Sequence, residues 1–413
     1  MGVVLIMLYI SVYIGLVATT FYAIGYHSDK KAVKQIFTDD ELPKVSVIIP
    51  AWNEAKSIAK TIKSIIASDY PKGKLEILVI DDGSKDNTLA IAKKFKSKMV
   101  KVYAKKNGGK GSALNYGIDR CTGEVIFTMD ADSMAEPQCI KNMTKYFKNP
   151  EVMSVTPSML IYKPKGILQR VQQAEYLFGL FIRKAFTSIN AIHVTPGAFS
   201  AYRKTFFDKY GGYDEETLSE DLEIALRIQS KGYTIEYSPE APVYTIAPNK
   251  FKPLLIQRRR WYTGLMKQTW AYKHMFSPKY GDLGMFVMPI AWISIFFSVF
   301  IINYLVIDVL INLKSELTFL SKINFDFSSL FSVSGHAIER ILFHIFSNPI
   351  IVFFLLFVVV LGIYMKFATK KVGKIKSLPL TVALYFLFFA IMFGFWWTVS
   401  IIYVALNKDI TWR

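Results

Sequence analysis

The way charge is sorted along this chain constrains its fold more than any other feature. Residues 3–25, VVLIMLYISVYIGLVATTFYAIG, hold no charged side chain, and as a helix that length crosses the roughly 30 Å of a bilayer's hydrocarbon core. Three more apolar runs come late, at about 285–312, 348–365 and 378–406, each long enough to do the same. Between about 27 and 280 no stretch qualifies. The expected layout is a transmembrane helix over 1–27, a globular domain over 28–280 and a C-terminal transmembrane region of about three helices over 281–413. The first run lacks the basic leader and short apolar core of a secretory signal, so it reads as a retained anchor. Segment 314–346 mixes apolar and polar residues and takes no assignment.

Lysine placement orients this layout. Lys30, Lys31 and Lys34 follow the first run, Lys366, Lys370, Lys371, Lys374 and Lys376 fill the loop between the last two, and no lysine or arginine precedes the first run. Positive residues stay on the cytoplasmic side. The expectation is a multi-pass protein of the cell membrane, its globular domain and 366–377 loop cytoplasmic and both termini outside. Anionic headgroups and an anionic substrate account for the net charge of +18, so no nucleic-acid partner is expected. Cys121 and Cys139 both fall in the globular part, without metal-ligand spacing, which argues against a disulfide framework.

The globular part opens as alternating strands and helices. KVSVIIP (44–50), LEILVI (75–80), MVKVYA (99–104) and EVIFTM (124–129) read as strands, and 54–67, 86–96 and 110–120 as helices between them. Apolar strands separated by helices form a mostly parallel sheet covered on both faces. Such sheets bind ligands at the carboxyl ends of their strands. Those ends read PAWNE (50–54), DDGS (81–84) and DAD (130–132), so one rim gathers carboxylates. Hard oxygen ligands in small number suit Mg²⁺ or Mn²⁺, with water and substrate phosphate completing the shell. NGGKGSALN (107–115) offers glycines, Lys110 and a helix start, a plausible phosphate cradle. The first strand is not followed by GxGxxG, and no GxxxxGK[ST] is present, which argues against nicotinamide, flavin and P-loop sites.

Together PAWNE, VIDDGSKDNT, KGSALN and DAD resemble the nucleotide-sugar half of family 2 glycosyltransferases with the GT-A fold. SED (219–221) is similar to that family's TED-type catalytic motif, and QRRRW (257–261) to its QxxRW motif through Gln257, Arg260 and Trp261. The resemblance covers about 44–275 and, with the flanking spans, points to membrane-embedded cellulose, chitin, hyaluronan and poly-N-acetylglucosamine synthases. It departs in having Ser219 for threonine, one span ahead of the domain and no PilZ-like region. What it implies is a GT-A fold, a Rossmann-like mostly parallel sheet with helices on both faces, plus an α-helical membrane region.

It also implies a function: an inverting hexosyltransferase moving sugar from a nucleotide-diphosphate sugar, a UDP-sugar in the leading reading, to a growing polysaccharide or glycolipid. Asp130 and Asp132 would hold Mg²⁺ or Mn²⁺. Lys110, Arg260 and Arg258 would stabilise the leaving diphosphate. Pro50, Ala51, Asn53, Glu54, one of Asp81 and Asp82, Asp130 and Gln257 complete the nucleotide site. Asp221 is the base, with Glu220 beside it at a helix start over 220–230 that Ser219 would cap. One base without a matching nucleophile implies inversion. Trp261, with Gly197 and Phe199 of PGAFSAYR (196–203), would face the acceptor, while His193 reads as structural rather than a metal ligand. Helices near 165–187 and 251–275 would lie at the membrane interface. An accessory membrane subunit or a second copy of the chain is the remaining partner to consider.

Two rivals stand beside this reading. One transfers a single sugar to a lipid-linked acceptor; the other is a catalytically silent membrane scaffold or transporter subunit. The scaffold would need lost carboxylates, and none is missing. The spans carry few ionisable groups, Asp308 being the candidate. The topology has a direct check: in intact cells, impermeant thiol reagents should label Gly2→Cys and Ile410→Cys, and a reporter placing residue 100 outside would overturn the cytoplasmic-donor reading.

Overall fold

Val45, Val47 and Ile49 pack into one apolar cluster, while Ile48, between them, packs into another; Ile77 and Val79 part from Leu78 and Ile80 in the same way. Side chains of a strand alternate between faces, so both faces of this sheet are covered. The computed structural model describes residues 2–27, 38–324, 378–406 and Lys408, with scattered residues between 338 and 362. The lysines at 30, 31, 34 and 366–376 and most of the 348–365 run lie outside the described residues.

The first half of the domain follows the expected alternation: β1 (Val45–Ala51), α2 (Ile58–Ile66), β2 (Leu75–Asp81), α3 (Thr88–Lys93), β3 (Val100–Ala104), α4 (Lys110–Ile118) and β4 (Val125–Thr128), after the apolar helix α1 (Gly2–His27). In α2, Ile58, Thr61, Ile62 and Ile65 are buried, the i, i+3, i+4, i+7 stripe of a helix lying on a sheet. β1 pairs in parallel with β2 and β4, and β2 with β3. Ala51 lies level with Asp81, so the carboxyl ends of β1 and β2 reach one rim.

The second half corrects the mostly parallel expectation. The chain continues through β5 (Met134–Ala135), α5 (Cys139–Thr144), β6 (Val152–Ile161), α6 (Gly166–Ser188), β7 (Ser200–Arg203), α7 (Lys204–Tyr210), α8 (Glu220–Ser230), β8 (Thr234–Thr245) and α9 (Phe251–Ala271). The eight strands lie in the order β3-β2-β1-β4-β7-β6-β8-β5. β7 is antiparallel to both β4 and β6, and β5 to β8; β6 and β8 are parallel. The reason is where β7 begins. Ser200 pairs with Thr128, the last residue of β4, so the chain enters β7 at the carboxyl rim and must run back down. The loop just before it, Pro196–Phe199, is thereby held at that rim.

Two helices among the described residues are long and apolar enough to cross a membrane, Leu5–Tyr26 and Leu283–Lys322. The latter contains α10 (Met288–Lys322), which runs ten residues beyond the expected end at 312. The last described helix, α11 (Leu378–Ala405), has no charged residue. α6 lies between these helices and the sheet. Tyr26 of α1 stacks on Phe181 of α6 at 4.9 Å, and Gly25 lets α1 approach the Ala185 carbonyl. Nearer the N-terminal end of α6, Val171 and Ala174 pack with Tyr385 of α11.

Candidate active site

The acidic rim divides its carboxylates between structure and ligand. Asp82 is buried and fully engaged: Lys105 Nζ lies 2.8 Å from Oδ1, while the backbone N–H groups of Gly108 and Gly109 donate to its carboxylate at 3.0 and 2.8 Å. It pins the glycine loop. Asp81 accepts from Ser84 N at 3.2 Å through Oδ2, and its buried Oδ1 has no partner. A buried acceptor left unpaired calls for a donor, so Asp81 is the member of the pair left open to a ligand. Asn53 adopts a left-handed backbone (φ 56°), with its Oδ1 accepting from Lys85 N at 2.8 Å. Glu54 accepts from Ser57 Oγ at 2.6 Å. Pro50 and Ala51 are buried strand residues, the Ala51 carbonyl accepting from Asp82 N at 2.8 Å.

Beyond this edge one ammonium joins the two halves of the domain. Lys110, first residue of α4, lies 2.6 Å from Asp130 Oδ1 and 2.6 Å from Glu220 Oε1. Burial works against its charge, but Asp130, Glu220 and Asp221 outweigh it and hold the ammonium's pKa well above the ordinary value. Gly197 closes over it. A Cβ there would sit 2.5 Å from Lys110 Nζ and 3.5 Å from carboxylate oxygens of Asp130 and Glu220. The glycine thus belongs to the carboxylate cluster. Phe199 does not: it is fully buried against Phe127, rings 5.1 Å apart, and corrects the expectation that it faces an acceptor.

Asp132 and Asp221 are the carboxylates whose protonation the site reshapes. Burial, then Asp130 and Glu54, push Asp132 up to about 7. Crowding of this kind is what a divalent cation relieves. Among the described residues, no group of three or more His, Cys, Asp or Glu side chains is arranged to hold a metal alone; two carboxylates with substrate phosphate remain a suitable set for Mg²⁺ or Mn²⁺. Asp221 is raised to about 6 by burial, Glu220 and Asp130, against the pull of Lys110 and Arg260. Its carbonyl accepts from Thr195 N and Oγ1 at 3.2 and 2.8 Å, which ties the PGAF loop to the start of α8. Ser219 occupies the N-cap position without making a side-chain cap. Its Oγ lies where a Cβ on Gly264 would stand, so α9 packs directly on it.

α9 splits the arginines. Gln257, Arg260, Gly264 and Gln268 share one helical face, and that face meets the SED segment: Gln268 Nε2 donates to Thr217 Oγ1 at 2.6 Å. The Gln257 Oε1 is buried without a partner. Arg258 points the other way. It is 1% exposed, forks onto both Glu175 oxygens at 2.6 Å, and lies over the rings of Trp261 (4.4 Å) and Trp396 (5.4 Å). It therefore cannot also grip a diphosphate, which corrects that expectation. Trp261 has one face covered by this guanidinium. His193 Nδ1 lies 3.0 Å from the Ala191 carbonyl oxygen, and burial lowers the pKa of its ring. Sequence reasoning missed Glu175, Thr195 and Gly264, because their roles depend on contacts across long chain separations; only the small residue one turn after Arg260 hinted at a close approach.

A mixed sheet with acids along its carboxyl rim and a basic helix across it defines a GT-A-like α/β domain. Residues 46–211 match the family model Glycosyl transferase family 2. It is 35% identical over 233 residues to the probable glycosyltransferase YdaM of Bacillus subtilis (strain 168), covering 54% of this chain and 56% of that protein. It is 30% identical over 230 residues to the poly-beta-1,6-N-acetyl-D-glucosamine synthase of Staphylococcus aureus (strain COL), covering 54% and 55%. The match thus spans about half the length of these curated relatives. The fold is shared with the mannosyltransferase PcManGT from Pyrobaculum calidifontis, solved in complex with GDP-Man and Mn²⁺, at a TM-score of 0.60 and 17% identity over 99% of both chains.

Gly197 gives the cluster a specific test. Gly197→Ala should displace the Lys110 ammonium, a flexible group, and so lower the melting temperature little, while any turnover that depends on the cluster falls by about 10-fold or more. Paired melting and activity measurements check it.

Proposed function

We propose that this protein transfers a sugar from a nucleotide-diphosphate sugar to an acceptor hydroxyl, with inversion, at the cytoplasmic face of a membrane. The observation that carries the reading is the convergence of Asp130, Lys110, Glu220 and Asp221 on one rim, with the electrostatic pull of Arg260 on Asp221. Asp221 takes the proton of the acceptor hydroxyl as its oxygen attacks the anomeric carbon and the bond to the diphosphate breaks. A carboxylate raised to about 6 is a stronger base than an ordinary aspartate and is still ionised at neutral pH. Lys110 and Arg260 stabilise the charge that builds on the leaving diphosphate. A divalent cation held by Asp130 and Asp132 would add to that neutralisation. Asp81, with the Asn53–Glu54 turn, receives the base and ribose.

The relationship to a poly-beta-1,6-N-acetyl-D-glucosamine synthase supports a polymerising enzyme with a polysaccharide acceptor. One observation favours the rival, single transfer to a lipid-linked acceptor: Arg258 covers a face of Trp261, which halves the ring surface a sliding sugar chain can use. Product length separates the two. The apolar helices α1, α10 and α11 support the membrane setting.

Asp221→Asn should lower transfer by roughly 10²–10⁴-fold with little change in nucleotide binding; near-normal turnover would sink the assignment. Because the base must be ionised, kcat/KM should fall as the pH drops through about 6 and level off above it, and the limb should vanish in the residual activity of the variant. Chelation with EDTA should abolish transfer and Mg²⁺ or Mn²⁺ restore it. Full activity of Asp132→Ala in chelator would reduce the DAD segment to a turn.

A further inference from the structure

The ion pair between Arg258 and Glu175 lies outside the chemistry above, and its guanidinium is almost completely buried. The Arg258 and Glu175 side chains are 2% and 22% exposed and meet through two 2.6 Å hydrogen bonds. An apolar pair of similar volume would serve stability as well or better, so the pair is retained for what it orients. Its surroundings indicate what that is. Glu175 is on α6, Arg258 on α9, and Trp396 of α11 lies against the guanidinium. One turn along α9, Tyr262 stacks on Trp397 of α11 at 4.5 Å, rings 7° from parallel. The opposite face of α9 carries Arg260, then Gly264 against Ser219 and Gln268 on Thr217.

We propose that Glu175 is a positioning residue for sugar transfer: by holding Arg258 it sets the rotation of α9, and with it the places of Arg260 and Trp261 at the site. The inference rests on the transferase reading. A helix turning as a body moves both faces together. A side-chain tip about 6 Å from the helix axis shifts by about 1 Å when the helix rotates by about 10°, and a misplacement of that size costs about 100-fold in rate. Trp261 depends on the pair directly, since it follows Arg258 by three residues and its ring lies under the guanidinium. Glu175 itself touches no group of the carboxylate cluster among the contacts described, so its effect must pass through Arg258.

The test uses the full chain in lipid nanodiscs and two variants. Glu175→Leu combined with Arg258→Met replaces the pair by apolar volume. It should melt at or above the wild-type temperature while kcat for nucleotide-diphosphate release from a panel of UDP- and GDP-sugars, with acceptor present, falls by about 10- to 100-fold. The donor KM should stay within about threefold, because Asp81 and the Asn53–Glu54 turn are untouched. Glu175→Gln, which keeps the shape, should lower kcat per folded molecule by the same order. Wild-type kcat in the folded double variant, or a Glu175→Gln loss that only tracks the folded fraction, overturns the proposal. Wild type and Asp221→Asn run alongside. If wild type releases nothing from any donor, the transferase reading fails and this inference with it. If wild type is active, Asp221→Asn is not, and the double variant matches wild type, the positioning role alone fails.

Discussion

The ammonium of Lys110 between Asp130 and Glu220 is the contact on which the candidate site depends. Asp130 follows β4, and Glu220 begins α8, ninety residues later. Without a cation between them these carboxylates, with Asp221 beside them, would repel one another in a partly buried setting where such repulsion is poorly screened. The cluster also explains two nearby constraints. A side chain at Gly197 would displace the ammonium from that space. Asp221 keeps a raised pKa because burial, with Glu220 and Asp130 nearby, outweighs the pull of Lys110 and Arg260.

Around this centre the protein is organised as a sheet that delivers acids and a helix that delivers a cation. The sheet's contribution is rigid: strand ends in register, Asp82 spent on pinning the glycine loop, Asp81 left with an unpaired oxygen. The contribution of α9 depends on how that helix is seated. It packs on the SED segment through Gly264 and on α6 and α11 through Arg258 and Tyr262. The apolar helices are therefore mechanically connected to the rim where the chemistry is proposed. Arg258 and Arg260 differ by two positions, about 200° around a helix, and that alone gives them opposite duties.

Local patterns were readable wherever one short segment carries its own constraint. The four early strands, α4 starting at Lys110 and α8 starting at Glu220 follow from apolar runs, glycine and helix-start residues within a few positions. The antiparallel β7 was not readable, because its direction follows from the rim at which the chain arrives after α6 rather than from its own four residues. Ser219 looked like a helix cap, yet its hydroxyl makes no cap and lies in the space that Gly264 of α9 leaves open. Phe199 sits two residues after Gly197 in the same loop motif, but only one of them faces the cluster; the other turns into the core.

By itself, then, the sequence determined the kind of molecule: a domain rich in alternating strands and helices, acids at strand ends, an SED at a helix start, a basic helix ahead of a long apolar region. These are properties of composition and short spacing, where backbone geometry leaves few alternatives. Tertiary structure alone decided the division of labour among chemically identical groups: Asp81 from Asp82, Arg258 from Arg260, Gly197 from Phe199. Neighbours in sequence share their local propensities. What separates them is which distant charge or ring each one meets: the glycine loop on Asp82, the Lys110 ammonium beside Gly197, Phe127 against Phe199, and α6 and α11 around Arg258.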